Sequence, residues 1–89
     1  MHKFTYDVGK AAANLRKHGV SFAEAEGVFA DPLAITVTDP DTSHEERLVA
    51  IGQGVSGELL VVVFTERGDE VRLISARPAS RKERKDYER

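Results

Sequence analysis

The hydrophobic pattern of this chain changes its period at Asp31-Pro32, and this change constrains the fold more than any other feature. Before it, Phe22, Ala25 and Val28 recur at the spacing of one helix face. After it, residues 33–38 alternate between large apolar side chains and Ala or Thr, which is typical of a strand. A chain of 89 residues can bury one thin core. The pattern therefore predicts a single α+β domain of two layers over residues 1–89.

Two short helices are predicted before the change of period. Asp7 is placed to cap the first helix, and Gly19 is placed to end it in the left-handed conformation. Ser21 followed three positions later by Glu24 is typical of a capping box that opens the second helix. A short strand at Phe4 to Tyr6 precedes both. We therefore expect a tight helix–turn–helix near the N-terminus.

Three further strands are predicted from residue 47 onward, at Arg47 to Gly52, Glu58 to Glu66 and Glu70 to Arg77. Short Gly-containing turns separate them, which favours an antiparallel sheet. The run Leu59 to Phe64 is continuously apolar, so we expect a central strand covered on both faces. The cluster Asp39 to Ser43 is predicted to be a turn or loop.

The C-terminal segment is strongly basic and begins with a second predicted capping box, Ser80 with Glu83. Residues 77–89 hold six Lys or Arg and three Asp or Glu, a formal charge of +3. The other 76 residues hold seven Lys or Arg and twelve Asp or Glu, a formal charge of −5. This asymmetry points to an anionic partner. The alternative is a frayed, solvated helix, since only Tyr87 could pack.

Several classes of protein are disfavoured. The chain has no cysteine, which excludes disulfides and thiolate metal sites. Its histidines lie at positions 2, 18 and 44, without the spacing of a helical metal site. No P-loop, dinucleotide fingerprint or nucleophile elbow occurs. The longest apolar stretch is far shorter than the roughly 20 residues of a membrane span, and we expect a soluble, cytoplasmic protein.

Arg77 and His18 are the first candidates for chemistry. Arg77 ends a strand beside the basic helix, where its fork could grip phosphate oxygens, and simple alternation places it on the strand face opposite Arg72. The alternative is an ion pair with a nearby carboxylate. His18 lies at a helix C-terminus, where the dipole favours a cation, and is a candidate acid or base. Its alternative role is to bind the last helix carbonyls. RNA cleavage by the 2′-hydroxyl needs only such groups and no cofactor.

The chain closely resembles the BrnT family of toxins from bacterial type II toxin–antitoxin systems, within the RelE/ParE-like superfamily. Three stretches carry the resemblance: Asn14 to Phe29 (NLRKHGVSFAEAEGVF), Glu46 to Gly52 (ERLVAIG) and Leu60 to Glu88, which contains ISARPASRKERKDYE. The resemblance implies a RelE-like two-layer fold, with two N-terminal helices packed on an antiparallel sheet and a C-terminal helix. It also implies a metal-independent endoribonuclease that cleaves RNA, with mRNA as the expected target.

The resemblance further implies a BrnA-like antitoxin that neutralises the toxin and whose complex, rather than this chain alone, binds DNA. Three alternatives stay open: a non-catalytic module that binds antitoxin as a co-repressor, a nucleic-acid-binding domain whose basic helix is only a docking surface, and a toxin that acts on gyrase or another protein.

Roles for particular residues also follow from the resemblance. Arg67 and Arg77 are expected to be phosphate or transition-state cations, His18 an acid or base, and Tyr87 a group that stacks on a base or positions the phosphate. The residues expected to bind the RNA chain are Lys17, Arg72, Arg81 and Arg84.

Overall fold

The computed structural model describes residues 3–39 and 46–89, which form a five-stranded sheet and three helices. The predicted turn at Asp39 to Ser43 lies outside the described residues from position 40 onward, as do His2 and His44. The elements are, in chain order, β1 (Lys3–Thr5), α1 (Val8–His18), α2 (Phe22–Ala25) with a 3₁₀ segment (Glu26–Ala30), β2 (Ile35–Thr38), β3 (Leu48–Gln53), β4 (Leu59–Arg67), β5 (Glu70–Pro78) and α3 (Arg81–Glu88).

The sheet has the strand order β1-β5-β4-β3-β2 and is mixed. Strands β2 to β5 pair antiparallel, whereas β1 pairs parallel to β5, with Lys3 opposite Glu70. The prediction of a wholly antiparallel sheet was therefore wrong at one edge. Short turns impose antiparallel pairing only on strands that are adjacent in sequence, and most of the chain separates β1 from β5.

The helix ends follow the predicted caps with one difference. Asp7 caps α1, and Gly19 ends it with a φ of 71°. Ser21 Oγ accepts a hydrogen bond from the backbone N–H of Glu24 at 3.0 Å. The carboxylate of Glu24 does not complete the predicted capping box, because it accepts bonds from the Ser56 hydroxyl at 2.6 Å and backbone N–H at 3.0 Å. These bonds lower the pKa of Glu24 and tie α2 to the β3–β4 turn.

The core lies between one sheet face and the N-terminal helices, since α1 and α2 contact β5 and the 3₁₀ segment contacts β3. Burial of this apolar surface is the main stabilising contribution to the fold. The buried cluster comprises Val20, Phe22, Ala25 and Val28 from the helical part and Ala50, Leu60, Val62, Phe64, Val71, Leu73 and Ala76 from the strands.

The opposite sheet face, here called the outer face, carries two cross-strand rows of β-branched side chains. The register places Ile35, Ile51, Val61 and Arg77 side by side in the first row. It places Val37, Val49, Val63 and Ser75 in the second row. Alternate residues of the same strands belong to the core, so these side chains point away from α1 and α2.

A β-bulge in β5 changes which side chains share a face. Val63 pairs with Ser75 whereas Phe64 pairs with Leu73, so Ile74 is the extra residue. Arg72 pairs with Thr65 and thereby lies on the outer face together with Arg77. The expectation that these two arginines lie on opposite faces was wrong, because simple alternation does not hold across a bulge.

Candidate functional site

Helix α1 and strand β5 line an open surface groove of about 220 Å³ that carries basic side chains, here called the α1–β5 groove. Lys17 and His18 follow Lys10 by seven and eight positions, about two helical turns, so all three side chains lie on one face of α1. The structure thus brings the predicted residues Lys17 and His18 together and adds Lys10. The groove is lined by Lys10, Ala13, Asn14, Lys17, His18, Ile74 and Ser75.

The groove exists because the neighbouring strand stops early. Strand β1 pairs with β5 only as far as Arg72, so within residues 3–39 and 46–89 the rest of that β5 edge has no strand partner. At Ala76 the side chain of Asn14 takes over this pairing. Its Nδ2 donates to the Ala76 carbonyl at 2.8 Å, and its Oδ1 accepts from the Ala76 N–H at 3.0 Å. Nδ2 also donates to the Val20 carbonyl at 2.9 Å, which fixes the end of α1 against the sheet.

The guanidinium group of Arg77 is engaged by a carboxylate of the same C-terminal segment. Its Nη1 and Nη2 donate to the two oxygens of Glu83 at 2.8 and 2.7 Å. The bidentate bond from Arg77 lowers the pKa of Glu83 to about 2 and raises the pKa of Arg77. Glu83 also accepts from the Ser80 N–H at 2.7 Å, which completes the predicted capping box. The fork that was predicted to bind phosphate therefore binds α3.

The other end of α3 is held by a hydrogen bond between Tyr87 and Asp31. The Tyr87 hydroxyl donates to Asp31 Oδ2 at 2.7 Å, and the same oxygen accepts from the Gln53 N–H at 2.8 Å. These two bonds lower the pKa of Asp31, while the bond to Asp31 raises the pKa of Tyr87. The helix is thus anchored at both ends, in contrast to the alternative of a frayed segment.

The other predicted residues are spread over the molecule. Arg67 pairs with Glu70 beside the β4–β5 turn and has partners of its own. It lies six residues along β4 from Val61, the neighbour of Arg77, which corresponds to roughly 20 Å at about 3.4 Å per residue. Arg72 is exposed on the outer face, and Arg81 and Arg84 are exposed on α3. The sheet register therefore does not bring Arg67 and Arg77 together into one site.

Sequence reasoning missed three residues of these sites. Lys10 could have been found, because it precedes Lys17 by two helical turns. Asn14 could have been found from one observation, since it is a polar residue on the face of α1 that packs against the sheet. Asp31 was interpreted only as the end of a helix, and nothing local indicates its bond to a residue 56 positions away.

Metal binding and membrane crossing were also tested on the described parts of the chain. Within residues 3–39 and 46–89, no three His, Asp or Glu side chains are grouped so that they could hold a metal ion. None of the three helices is long and apolar enough to cross a membrane.

Comparisons with known proteins identify the family. The family model described as the ribonuclease toxin BrnT of type II toxin–antitoxin systems matches residues 6–83. The chain is also similar to the Brucella abortus ribonuclease toxin BrnT, whose crystal structure was determined at 1.1 Å resolution. The two share 28% identity with a TM-score of 0.66, over 91% of this chain and 100% of the other. No curated protein sequence matches. Because the family model spans most of the chain, this protein belongs to the BrnT family of ribonuclease toxins, and the type II system implies an antitoxin partner.

Proposed function

We propose that the chain is a cytoplasmic endoribonuclease that cleaves RNA, with mRNA as its target, without a metal ion, and that the α1–β5 groove receives the scissile phosphate. The observation that carries this proposal is the convergence of His18, Lys10 and Lys17 on one cavity. A phosphate needs cations to hold its charge and a proton-transfer group beside them, and the groove offers both.

The chemistry is transesterification by the neighbouring 2′-hydroxyl. The 2′-oxygen attacks phosphorus and loses its proton, the bond to the 5′-oxygen breaks, and that oxygen takes up a proton. His18 serves as one of the two proton-transfer groups, and the ammonium groups of Lys10 and Lys17 stabilise the charge that develops on the phosphorane. The products carry a 2′,3′-cyclic phosphate and a 5′-hydroxyl. The proton lost by the 2′-hydroxyl goes to the base and the 5′-oxygen receives one from the acid, so the step balances without a cofactor.

Purified chain is expected to cleave single-stranded RNA in excess EDTA, with cyclic or 3′-phosphate ends. His18→Gln should lower the single-turnover rate by about 10²–10⁴, the usual contribution of a positioned acid or base. Lys82→Gln is the control for the loss of an exposed polar side chain, because Lys82 lies on α3, does not line the groove and should affect the rate far less. Strict dependence on Mg²⁺, or 5′-phosphate products, would exclude the mechanism. A wild-type rate in His18→Gln would exclude the α1–β5 groove as the site of cleavage.

Arg67, Arg77 and Tyr87 remain predicted catalytic residues, and Arg72, Arg81 and Arg84 remain predicted RNA contacts. The bidentate bond from Arg77 to Glu83 supports a positioning role for Arg77 instead.

The antitoxin is proposed to be BrnA-like, with DNA binding confined to the complex. The alternative of a non-catalytic co-repressor module is supported by the occupied fork of Arg77. The same assay distinguishes the two functions, since such a module would bind antitoxin and leave RNA intact.

A further inference from the structure

The outer face is only partly covered. In its first row Val61 is 3% exposed, and α3 contacts the neighbouring strand β3. In its second row Val37 is 53% exposed, and Val49 and Val63 are half-buried. Together with the half-buried Ile35 and Ile51, these side chains form one apolar surface across three strands, here called the outer-face patch.

Basic residues border this patch. Arg77 ends its first row and holds Glu83, so α3 starts at the edge of the patch. Arg72 lies on the same face of β5, on the other side of the β-bulge from Ser75, which ends the second row. The exposed cations of α3 are Arg81, Lys82, Arg84 and Lys85, and the exposed Arg89 follows at its C-cap. They outnumber the exposed acidic residues of the helix, Asp86 and Glu88. An apolar surface with a cationic border fits an amphipathic segment whose apolar side chains are flanked by acidic ones.

We propose that the outer-face patch is the surface on which the antitoxin docks, through an acidic amphipathic segment. Branched aliphatic side chains offer no planar surface on which RNA bases could stack, which argues against RNA as the occupant. A second copy of this chain would bring a second C-terminal segment, residues 77–89 of formal charge +3, close to the first, and like charges oppose that association. The inference rests on the toxin–antitoxin assignment but does not depend on the α1–β5 groove.

A second apolar surface provides the matched control. Val8 and Leu15 on α1 are 77% and 52% exposed, and Tyr6, just before the helix, is 43% exposed. The cavity that they line has no charged residue among its lining side chains. It has comparable hydrophobicity but lacks the complementary charge, so we expect the antitoxin to leave it free.

Calorimetric titration of the purified antitoxin encoded with this toxin into two variants tests the proposal. Val37→Asp introduces a charge into the outer-face patch and should weaken binding at least tenfold. Val8→Asp introduces the same charge into the control surface and should bind as the wild type does. Both variants should retain the wild-type RNA cleavage rate, because neither side chain lines the α1–β5 groove.

A measurement on the unmodified chain covers the case in which Val37→Asp fails to fold. With labelled Val, Ile and Leu methyl groups, addition of antitoxin should shift the signals of Val37, Val49 and Val63 and leave those of Val8 and Leu15 unchanged. Shifts confined to Val8 and Leu15, or full binding by a folded Val37→Asp variant, would overturn the proposal. A concentration-dependent dimer of the toxin that buries Val37 would assign the patch to a second copy and likewise overturn it. Failure of the wild type to bind antitoxin would overturn the partner assignment as well.

Discussion

Asn14 is the side chain on which the arrangement of the proposed active site depends most directly. Its amide satisfies both backbone groups of Ala76 and the carbonyl of Val20, and it is only 6% exposed. A buried polar group that loses its hydrogen-bond partner lowers the free energy of unfolding by about 1–3 kcal/mol, because it stays removed from water and makes no bond in its place.

We therefore expect Asn14→Ala to lower the free energy of unfolding by about 2–4 kcal/mol, since two or more backbone groups lose their partner. Leu15→Ala is the control on the same helix, because that side chain is 52% exposed and should change stability by much less. Urea unfolding of both variants gives the comparison. Equal stability of Asn14→Ala and wild type would show that water replaces the amide without cost.

Arg77 could act in one of two roles, positioning α3 or binding phosphate, and substitution of its partner Glu83 distinguishes them. Glu83→Gln removes the charge that holds the Arg77 fork. If Arg77 positions α3, we expect Arg77→Lys and Glu83→Gln to reduce RNA cleavage in parallel, on the order of tenfold, the effect of one charge-assisted hydrogen bond. Tighter RNA binding by Glu83→Gln would instead show that Arg77 binds an RNA phosphate and that Glu83 competes with the phosphate for its guanidinium group. RNA affinity and single-turnover rates measured on the same variants distinguish the two.

At the level of whole elements, α3 is a helix without buried residues that depends on polar anchors rather than on the core. The anchors at its two ends are the Arg77–Glu83 pair and the Tyr87–Asp31 bond. Both rely on an ionised carboxylate, so the attachment of α3 depends on pH.

The pKa of Glu83 fixes the range of pH in which its anchor is lost. The value is about 2 in the folded chain and 4.5 without the fold. Stability from the Arg77–Glu83 pair is therefore fully present above about pH 4.5 and decreases as the pH falls toward 2. We expect the free energy of unfolding of wild type to exceed that of Glu83→Gln at pH 7 and the difference to shrink below pH 4.5. A difference that does not change with pH would show that the substitution acts through packing.

Most elements could be predicted because their signals are local. Caps at Asp7, Ser21 and Ser80 identified where the helices begin, and the alternation of apolar residues identified most strands within one or two residues. The second helix was predicted to run to Asp31, whereas it is α-helical only to Ala25 and 3₁₀ from Glu26 to Ala30. The bulge at Ile74 could not be predicted, because it depends on how β4 and β5 pair and leaves no mark in the local alternation. The parallel pairing of β1 likewise depends on a distant part of the chain, because its partner β5 begins at residue 70.

For the molecule as a whole, the sequence indicated the ribonuclease toxin family but not how the candidate residues are arranged. His18 and Lys17 are adjacent in sequence, so their shared groove was partly predictable. Arg67 and Arg77 were grouped because both are arginines in matching motifs, yet the sheet register holds them at opposite ends of a hairpin. Contacts between distant positions, such as Tyr87 with Asp31, follow from topology and not from residue type.

The pairing of the first strand with the last strand also affects the order of events during synthesis. Strand β5 neighbours both β1 and β4 in the sheet, and α1 packs on it. Until residues 70–78 have been made, the N-terminal helices have no completed sheet on which to pack. Contacts between such distant parts of a chain form late, because the intervening loop must first be closed. A nascent chain that still lacks residues 70–78 therefore has no α1–β5 groove, so the site proposed to receive the scissile phosphate cannot form before β5 has been synthesised.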